Sequence, residues 1–296
     1  MSNIDSHSAW KILLELRRLI RRGTGVAFPS GAGIDSQGRA VLLPAGAVSV
    51  LLVLYEDGGW RAHAELNQEA AQLFELYLPV CLAREGITVG HLGQSLDGRI
   101  ATANGASCYV TGLENILHLH RMRALCEAVV VGAETVRQDN PRLTTRRVAG
   151  LNPVRVVLDP KRRLQEGFHV FQDDAAPTLL FCDRRLVKRD REWQGQAEIV
   201  GVPLTEDGRL VLAVVLKRLH ERGLLNVFVE GGGITVSHFL REGLLDRLQV
   251  AIAPLIIGSG RPGISLPAIE DLSAALRPRY RPFRMGEDIL FDCWLR

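Results

Sequence analysis

Apolar residues recur along this chain with two different spacings, and the change between them marks out its elements. Over residues 8–22 leucine and isoleucine fall at helical spacing, with Arg17, Arg18, Arg21 and Arg22 opposite and Gly23 closing the run, which predicts an amphipathic helix with a solvated basic face. Residues 25–46 show no such period and read as loops and turns, followed by a strand at 48–55 and a helix at 65–77. From Gly86 onward, short β-branched and aromatic runs alternate with helical stretches. Strands are expected at 87–92, 128–131, 155–158, 178–182, 198–200, 226–229, 248–253 and 289–294, and helices at 113–126, 210–221 and 235–242. That alternation predicts an α/β unit with a mostly parallel sheet and helices on both faces. The chain therefore divides into a small N-terminal α+β appendage of unassigned role, residues 1–85, and an α/β domain, residues 86–296.

Composition narrows the function classes. A chain of 296 residues, 47% hydrophobic, can bury a sizeable core. Its formal charge of +3 is mild and its aromatics do not interleave with basic residues, which argues against a nucleic-acid partner and suits an anionic small molecule. The densest apolar runs, 48–54 and 211–216, fall far short of the ~20 residues of a membrane span, and residues 10–22 mix apolar with basic residues unlike a secretion signal. A cytoplasmic location without membrane association is the expectation. Cys81, Cys108, Cys126, Cys182 and Cys293 form no C-x-x-C pair and read as reduced packing residues, with no metal site. His63-Ala64-Glu65 opens the pattern of zinc-dependent nucleobase deaminases, but the P-C-x-x-C half is missing, so a deaminase is not expected.

The chemistry gathers where strands end. Glu230-Gly231-Gly232-Gly233 follows the apolar run 225–229 and precedes Ile234-Thr235-Val236, a strand feeding a glycine turn that opens a helix. Such a turn lets backbone N–H groups approach an anion at the helix N-terminus. Ser95-Leu96-Asp97-Gly98-Arg99-Ile100-Ala101 follows the strand at 87–92, and Val131-Gly132-Ala133-Glu134-Thr135 ends the strand at 128–131 in a small-residue turn. Beyond it lies the polar loop Asp139-Asn140-Pro141-Arg142-Leu143-Thr144. Open α/β sheets place their ligands at such strand ends. Asp97 is read as fixing the Asp97-Gly98 turn.

Together these strings, with Gly105-Ala106-Ser107-Cys108-Tyr109-Val110-Thr111, resemble in order and spacing the pyrimidine reductase family of riboflavin biosynthesis, the C-terminal half of the bacterial bifunctional deaminase and reductase. The resemblance covers about residues 86–296. It implies a dihydrofolate-reductase-like fold with an antiparallel strand near the C-terminus, NADPH as cofactor, a phosphorylated ribosylaminopyrimidine as substrate and a homodimer. For the cofactor it implies Gly93, Tyr109, Thr135 and Asp139, and the turn Gly232, Gly233, Ile234, Thr235 and Val236. Tyr109 stands where a tryptophan is common. A further cofactor contact maps just past the strand at 155–158, where Pro160 replaces the serine of some members and Lys161, Arg162 and Arg163 supply cations for a 2′-phosphate. For the substrate it implies Ser107, Arg123 and Arg146 on the phosphate, with Leu143 beside them. Glu230 would lie against the pyrimidine, hydrogen-bonding its amino groups or assisting proton transfer as the catalytic carboxylate.

The implied reaction is reduction of the ribosyl group of 5-amino-6-(5-phosphoribosylamino)uracil to the ribitylamino product. The same reduction of a 2,5-diamino-pyrimidinone, reduction of a related pyrimidine or pterin, and a non-catalytic nucleotide-binding homologue stay open at this level.

Overall fold

The computed structural model describes residues 3–23, 28–55, 59–107, 110–189 and 192–296. The chain divides into two compact units, Met1–Gly86 and Ile87–Arg296.

In the first unit, α1 (Ser6–Arg21) starts at Asp5, whose carboxylate accepts the Ser8 N–H at 2.8 Å. It buries Trp10, Ile12, Leu13 and Leu16. One arginine of its expected solvated face, Arg17, is buried instead and donates to the Ala83 carbonyl. Residues 25–46 were expected to be loops; 25–27 lie outside the described residues, and from Ser30 the stretch forms a hairpin. Its strands β1 (Ser30–Ile34) and β2 (Ala40–Pro44) join β3 (Leu52–Leu54) and β4 (Trp60–Ala62) in an antiparallel sheet ordered β2-β1-β3-β4. Glycine hides β1 in the sequence, because a Cβ at Gly31 would lie 2.4 Å from Val50 and one at Gly33 2.7 Å from the Ser49 carbonyl. α2 (Gln68–Leu82) begins later than expected, at an Asn67 cap bonded to the Ala70 N–H at 2.7 Å, and runs on through Pro79.

The second unit opens with β5 (Ile87–Ser95) and β6 (Arg99–Thr102), then α3 (Leu113–Leu125), β7 (Ala128–Gly132), α4 (Ala133–Asp139) and β8 (Val154–Leu158). The short α5 (His169–Gln172) leads into β9 (Thr178–Asp183), β10 (Trp193–Gln194), β11 (Ala197–Val202) and α6 (Leu212–His220). It closes with β12 (Asn226–Glu230), α7 (Gly233–Arg241), β13 (Arg247–Ala253), β14 (Gly260–Pro262), β15 (Arg279–Met285) and β16 (Asp288–Trp294). The main sheet runs β10-β11-β9-β8-β7-β12-β5-β13-β16-β15. From β11 to β13 all neighbours are parallel, and the outer strands are antiparallel. β16 is the antiparallel strand the resemblance implied.

The parallel strands read as continuous apolar runs because both their faces are covered: Val129, Val130, Val131, Val227, Phe228 and Val229 are all fully buried. The chain lays down β5, β7, β8, β9 and β11 in one direction, then returns to insert β12 between β5 and β7. That reversal opens a crevice at the carboxyl ends of the central strands. Six elements of this unit escape the periodicity: α4, where only a small-residue turn was expected, the short α5 and β10, the paired β6 and β14, and edge strand β15. Among the described residues no helix is long and apolar enough to cross a membrane, and no cluster of three metal-ligating side chains occurs.

Candidate active site

Above the carboxyl ends of β5, β12, β7 and β8 lies a cavity of about 720 Å³. Register fixes what each strand offers to it: Glu230 of β12 lies opposite His91 of β5, and Leu158 of β8 opposite Gly132 of β7. The walls come from α4, the start of α7 and the segment around Arg261.

The glycine turn forms the middle of the floor. Gly231 and Gly232 have φ of +75° and +71°, and α7 begins with no side-chain cap on Gly232. Its first N–H groups and the positive end of its dipole therefore meet the cavity without a protein acceptor from the cap. The turn is tight: a Cβ at Gly232 would come within 2.8 Å of Thr135 Oγ1, and one at Gly132 within 2.5 Å of Thr235 Oγ1. Bare amides flanked by two threonine hydroxyls fit the diphosphate of a dinucleotide.

Beside the turn stands a buried ion pair. Arg123 of α3 grips both carboxylate oxygens of Glu230, Nε donating to Oε2 at 2.7 Å and Nη2 to Oε1, while its Nη1 donates to the Thr144 carbonyl at 3.1 Å. Arg146 bonds the same threonine through Oγ1 at 2.8 Å. Ser107, on the cavity wall, donates to Asp139 at 3.2 Å.

Residues 89–281 match the RibD C-terminal domain. The chain belongs to the RibD C-terminal domain family. It is similar to the 2,5-diamino-6-ribosylamino-4(3H)-pyrimidinone 5′-phosphate reductase of Methanothermobacter thermautotrophicus, 36% identical over 205 residues that cover 67% of this chain and 93% of that one. The riboflavin biosynthesis protein RibD of Aquifex aeolicus is 32% identical over 226 residues, 76% of this chain but only 62% of that protein. Among solved structures, the deaminase and 5-amino-6-(5-phosphoribosylamino)uracil reductase of Thermotoga maritima superposes with a TM-score of 0.57 at 28% identity, covering 78% of this chain and 64% of that one. This chain thus spans about two thirds of each of these last two relatives. The second unit has the dihydrofolate-reductase-like fold of the RibD reductase domains, and membership of this reductase family implies a nicotinamide cofactor.

Against the RibD-type expectations, Ser107, Leu143, Glu230, Gly93, Thr135, Asp139, Gly232, Gly233, Ile234 and Thr235 all line the one cavity. Tyr109 lies outside the described residues. Val236 does not line it: it faces away into the core, fully buried, because the helical turn that exposes Ile234 rotates Val236 inward. Arg123 and Arg146 stand one layer behind the wall, engaged by Glu230 and Thr144. The expected 2′-phosphate cations also miss the cavity. Asp159 accepts the Arg163 and Leu164 N–H groups at 2.6 and 2.8 Å and curls the basic turn, leaving Lys161 exposed and Arg162 bonded to Glu192 and Gln194 at 2.5 and 3.1 Å. Leu158 and Pro160 reach the cavity instead. Asp97 holds its turn as expected, accepting from Ser95 Oγ and from the N–H groups of Ile257 and Gly258.

Sequence reasoning passed over His91, Asn115, Arg209 and Arg261, which also line the cavity. His91 Nε2 meets Asn115 Oδ1 at 3.0 Å, and Asn115 Nδ2 donates to Thr111 at 2.9 Å, which makes His91 Nε2 the protonated nitrogen. Behind it His118 Nε2 meets Gln249 Oε1 at 2.9 Å, and Gln249 in turn donates to Asp292. His120 Nδ1 accepts the Arg146 N–H at 3.0 Å. A polar residue within an apolar strand, as His91 is, was the available signal.

Burial, aided for His120 by Arg123 and Arg146, pushes His91 and His120 down to about 4 and His118 well below its ordinary range. The unfolded chain takes up the His91 and His120 protons near pH 6.5 and the folded chain only near 4, with His118 shifted in the same direction, so their contribution to stability is complete above about pH 6.5 and falls as pH drops toward 4. For His91 alone the loss is on the order of 3 kcal/mol. Urea midpoints measured from pH 7.5 to 4.5 should decline through this window, less steeply in His91→Gln. A flat profile would contradict the buried neutral imidazoles.

Proposed function

We propose that this chain is an NADPH-dependent reductase of a phosphorylated ribosylaminopyrimidine, opening the ribosyl group of 5-amino-6-(5-phosphoribosylamino)uracil to the ribityl chain. The observation that carries the reading is the meeting, in one cavity, of an uncapped glycine turn at a helix start with a carboxylate gripped by a buried arginine on the same strand end. Bound NADPH would supply the hydride that C1′ gains, while the ring oxygen released from C1′ takes a proton.

The chain's own part is positioning. The glycine turn and Thr235 hold the diphosphate. Glu230, with both oxygens already accepting from Arg123, is built as a hydrogen-bond acceptor for pyrimidine amino groups rather than as a proton donor. Arg123 acts through Glu230. For the 5′-phosphate the lining groups are Ser107 and Arg261, with Arg146 behind them on Thr144.

A second reading is favoured by the 36% identity over nearly the whole of a stand-alone enzyme named for the 2,5-diamino-pyrimidinone substrate. NADPH oxidation followed at 340 nm with the two phosphorylated substrates side by side, and with dihydrofolate, separates these. Turnover of either ribosylamino compound supports the reductase and selects the branch. NADPH binding with no turnover of either would overturn the substrate class.

A further inference from the structure

The cavity has two ends, and only one of them is used by the chemistry above. Glu230 and His91 mark the β12 and β5 end, and the glycine turn lies beside them. The other end sits over β8, two strands from β12 and three from β5. With strands about 4.8 Å apart, the four carboxyl ends span roughly 15 Å, the scale of an extended nucleotide rather than of a pyrimidine alone. A dinucleotide with its diphosphate on the turn and its reactive ring toward Glu230 sends its second nucleoside over β8.

Leu158 and Pro160 line that end, and Arg209, Leu210 and Leu212, at the start of α6, line the same cavity together with His238 of α7. Arg209 is held in place twice. Its N–H donates to Thr205 Oγ1 at 3.1 Å and its carbonyl accepts the Thr205 N–H at 2.7 Å, closing the 205–209 turn. Its Nε forms an ion pair with Asp207 Oδ2 at 3.1 Å. Nη1 is buried and bonds no protein group among the described residues, although the side chain as a whole is 39% exposed. A guanidinium paired through Nε, with 39% of its side chain exposed at the wall of an otherwise apolar stretch, is a cation that a phosphate monoester can take from the cavity side. Of the residues that the sequence offered for this task, Arg162 is committed to Glu192 and Gln194, and Lys161 and Arg163 do not line the cavity.

We infer that Arg209 reads the 2′-phosphate of NADPH and sets the preference for NADPH over NADH, in place of Lys161 and Arg162. The inference rests on the proposed dinucleotide-dependent reduction.

Titration calorimetry with adenosine 2′,5′-bisphosphate, 5′-AMP, NADPH and NADH tests it without turnover. Wild type should bind the bisphosphate more tightly than 5′-AMP, and Arg209→Gln should weaken the bisphosphate by roughly ten- to a hundredfold while 5′-AMP, which doubles as the folding control, stays unchanged. Arg209→Lys should fall between them, and Arg162→Gln should match wild type. The inference fails if Arg209→Gln keeps the bisphosphate preference, if both nucleotides weaken equally, if Arg162→Gln removes the preference, or if wild type shows none. A wild type that binds neither NADPH nor NADH would instead overturn the reductase reading itself.

Discussion

Truncating Arg123 to alanine is expected to remove about 3–5 kcal/mol of stability and at least a hundredfold of kcat/KM together. The guanidinium is 8% exposed and its partner Glu230 is 12% exposed, so the pair has little water to fall back on. Removing one member leaves a carboxylate in a site where its two donors are gone, and the Thr144 carbonyl loses its donor as well. Glu230→Gln should cost less stability, because the amide still accepts from Arg123, but the pyrimidine would lose its charged acceptor. The double variant Arg123→Met/Glu230→Met gives the decisive comparison. Its stability should recover toward wild type, since two buried apolar side chains need no partners, while activity stays lost. Urea denaturation and steady-state kinetics on the four proteins make the comparison. If Arg123→Ala leaves stability intact and only raises KM for the phosphorylated substrate, Arg123 is a phosphate ligand, as the family resemblance implied, and not the residue that positions Glu230.

That alternative shows where sequence reading reached and where it stopped. The strands at 128–131 and 226–229 were legible because burial on both faces demands unbroken runs of valine and phenylalanine, and the turn after Val229 was legible because its glycines are contiguous. β15 was not. Arg279-Tyr280-Arg281-Pro282-Phe283-Arg284-Met285 is exposed at five of its seven positions and contains a proline, which an edge strand tolerates but which breaks the pattern expected of a strand. β1 was hidden by glycines whose reason is the neighbouring segment. In the site, Ser107, Glu230 and the glycine turn are local strings, and local strings survive in sequence. What Arg162 does is decided by Glu192 and Gln194, thirty residues away, and what Arg209 does by a polar turn with no periodicity of its own. Distant partners of this kind cannot be read from spacing.

Gly232→Ala should weaken dinucleotide binding by about ten- to a hundredfold, on a loss of stability of only about 1–2 kcal/mol. Two effects combine at this position. Its φ of +71° is strained for any residue with a Cβ, and that Cβ would meet Thr135 Oγ1 at 2.8 Å. Threonine is stiff about χ1, so the hydroxyl cannot swing clear cheaply, and the turn must shift where its amides face the cavity. Gly243, at the other end of α7, separates the two effects. Its φ is +62°, but nothing lies within 4 Å of its Cβ position, so Gly243→Ala carries the strain without the crowding. Both variants should lose a few degrees of Tm, and only Gly232→Ala should lose NADPH affinity by fluorescence titration. Adding Thr135→Ser, which keeps the hydroxyl but frees its rotation, should restore part of that affinity. Equal NADPH binding by the two alanine variants would mean that the turn does not hold the dinucleotide, and the assignment of the cavity floor would have to move.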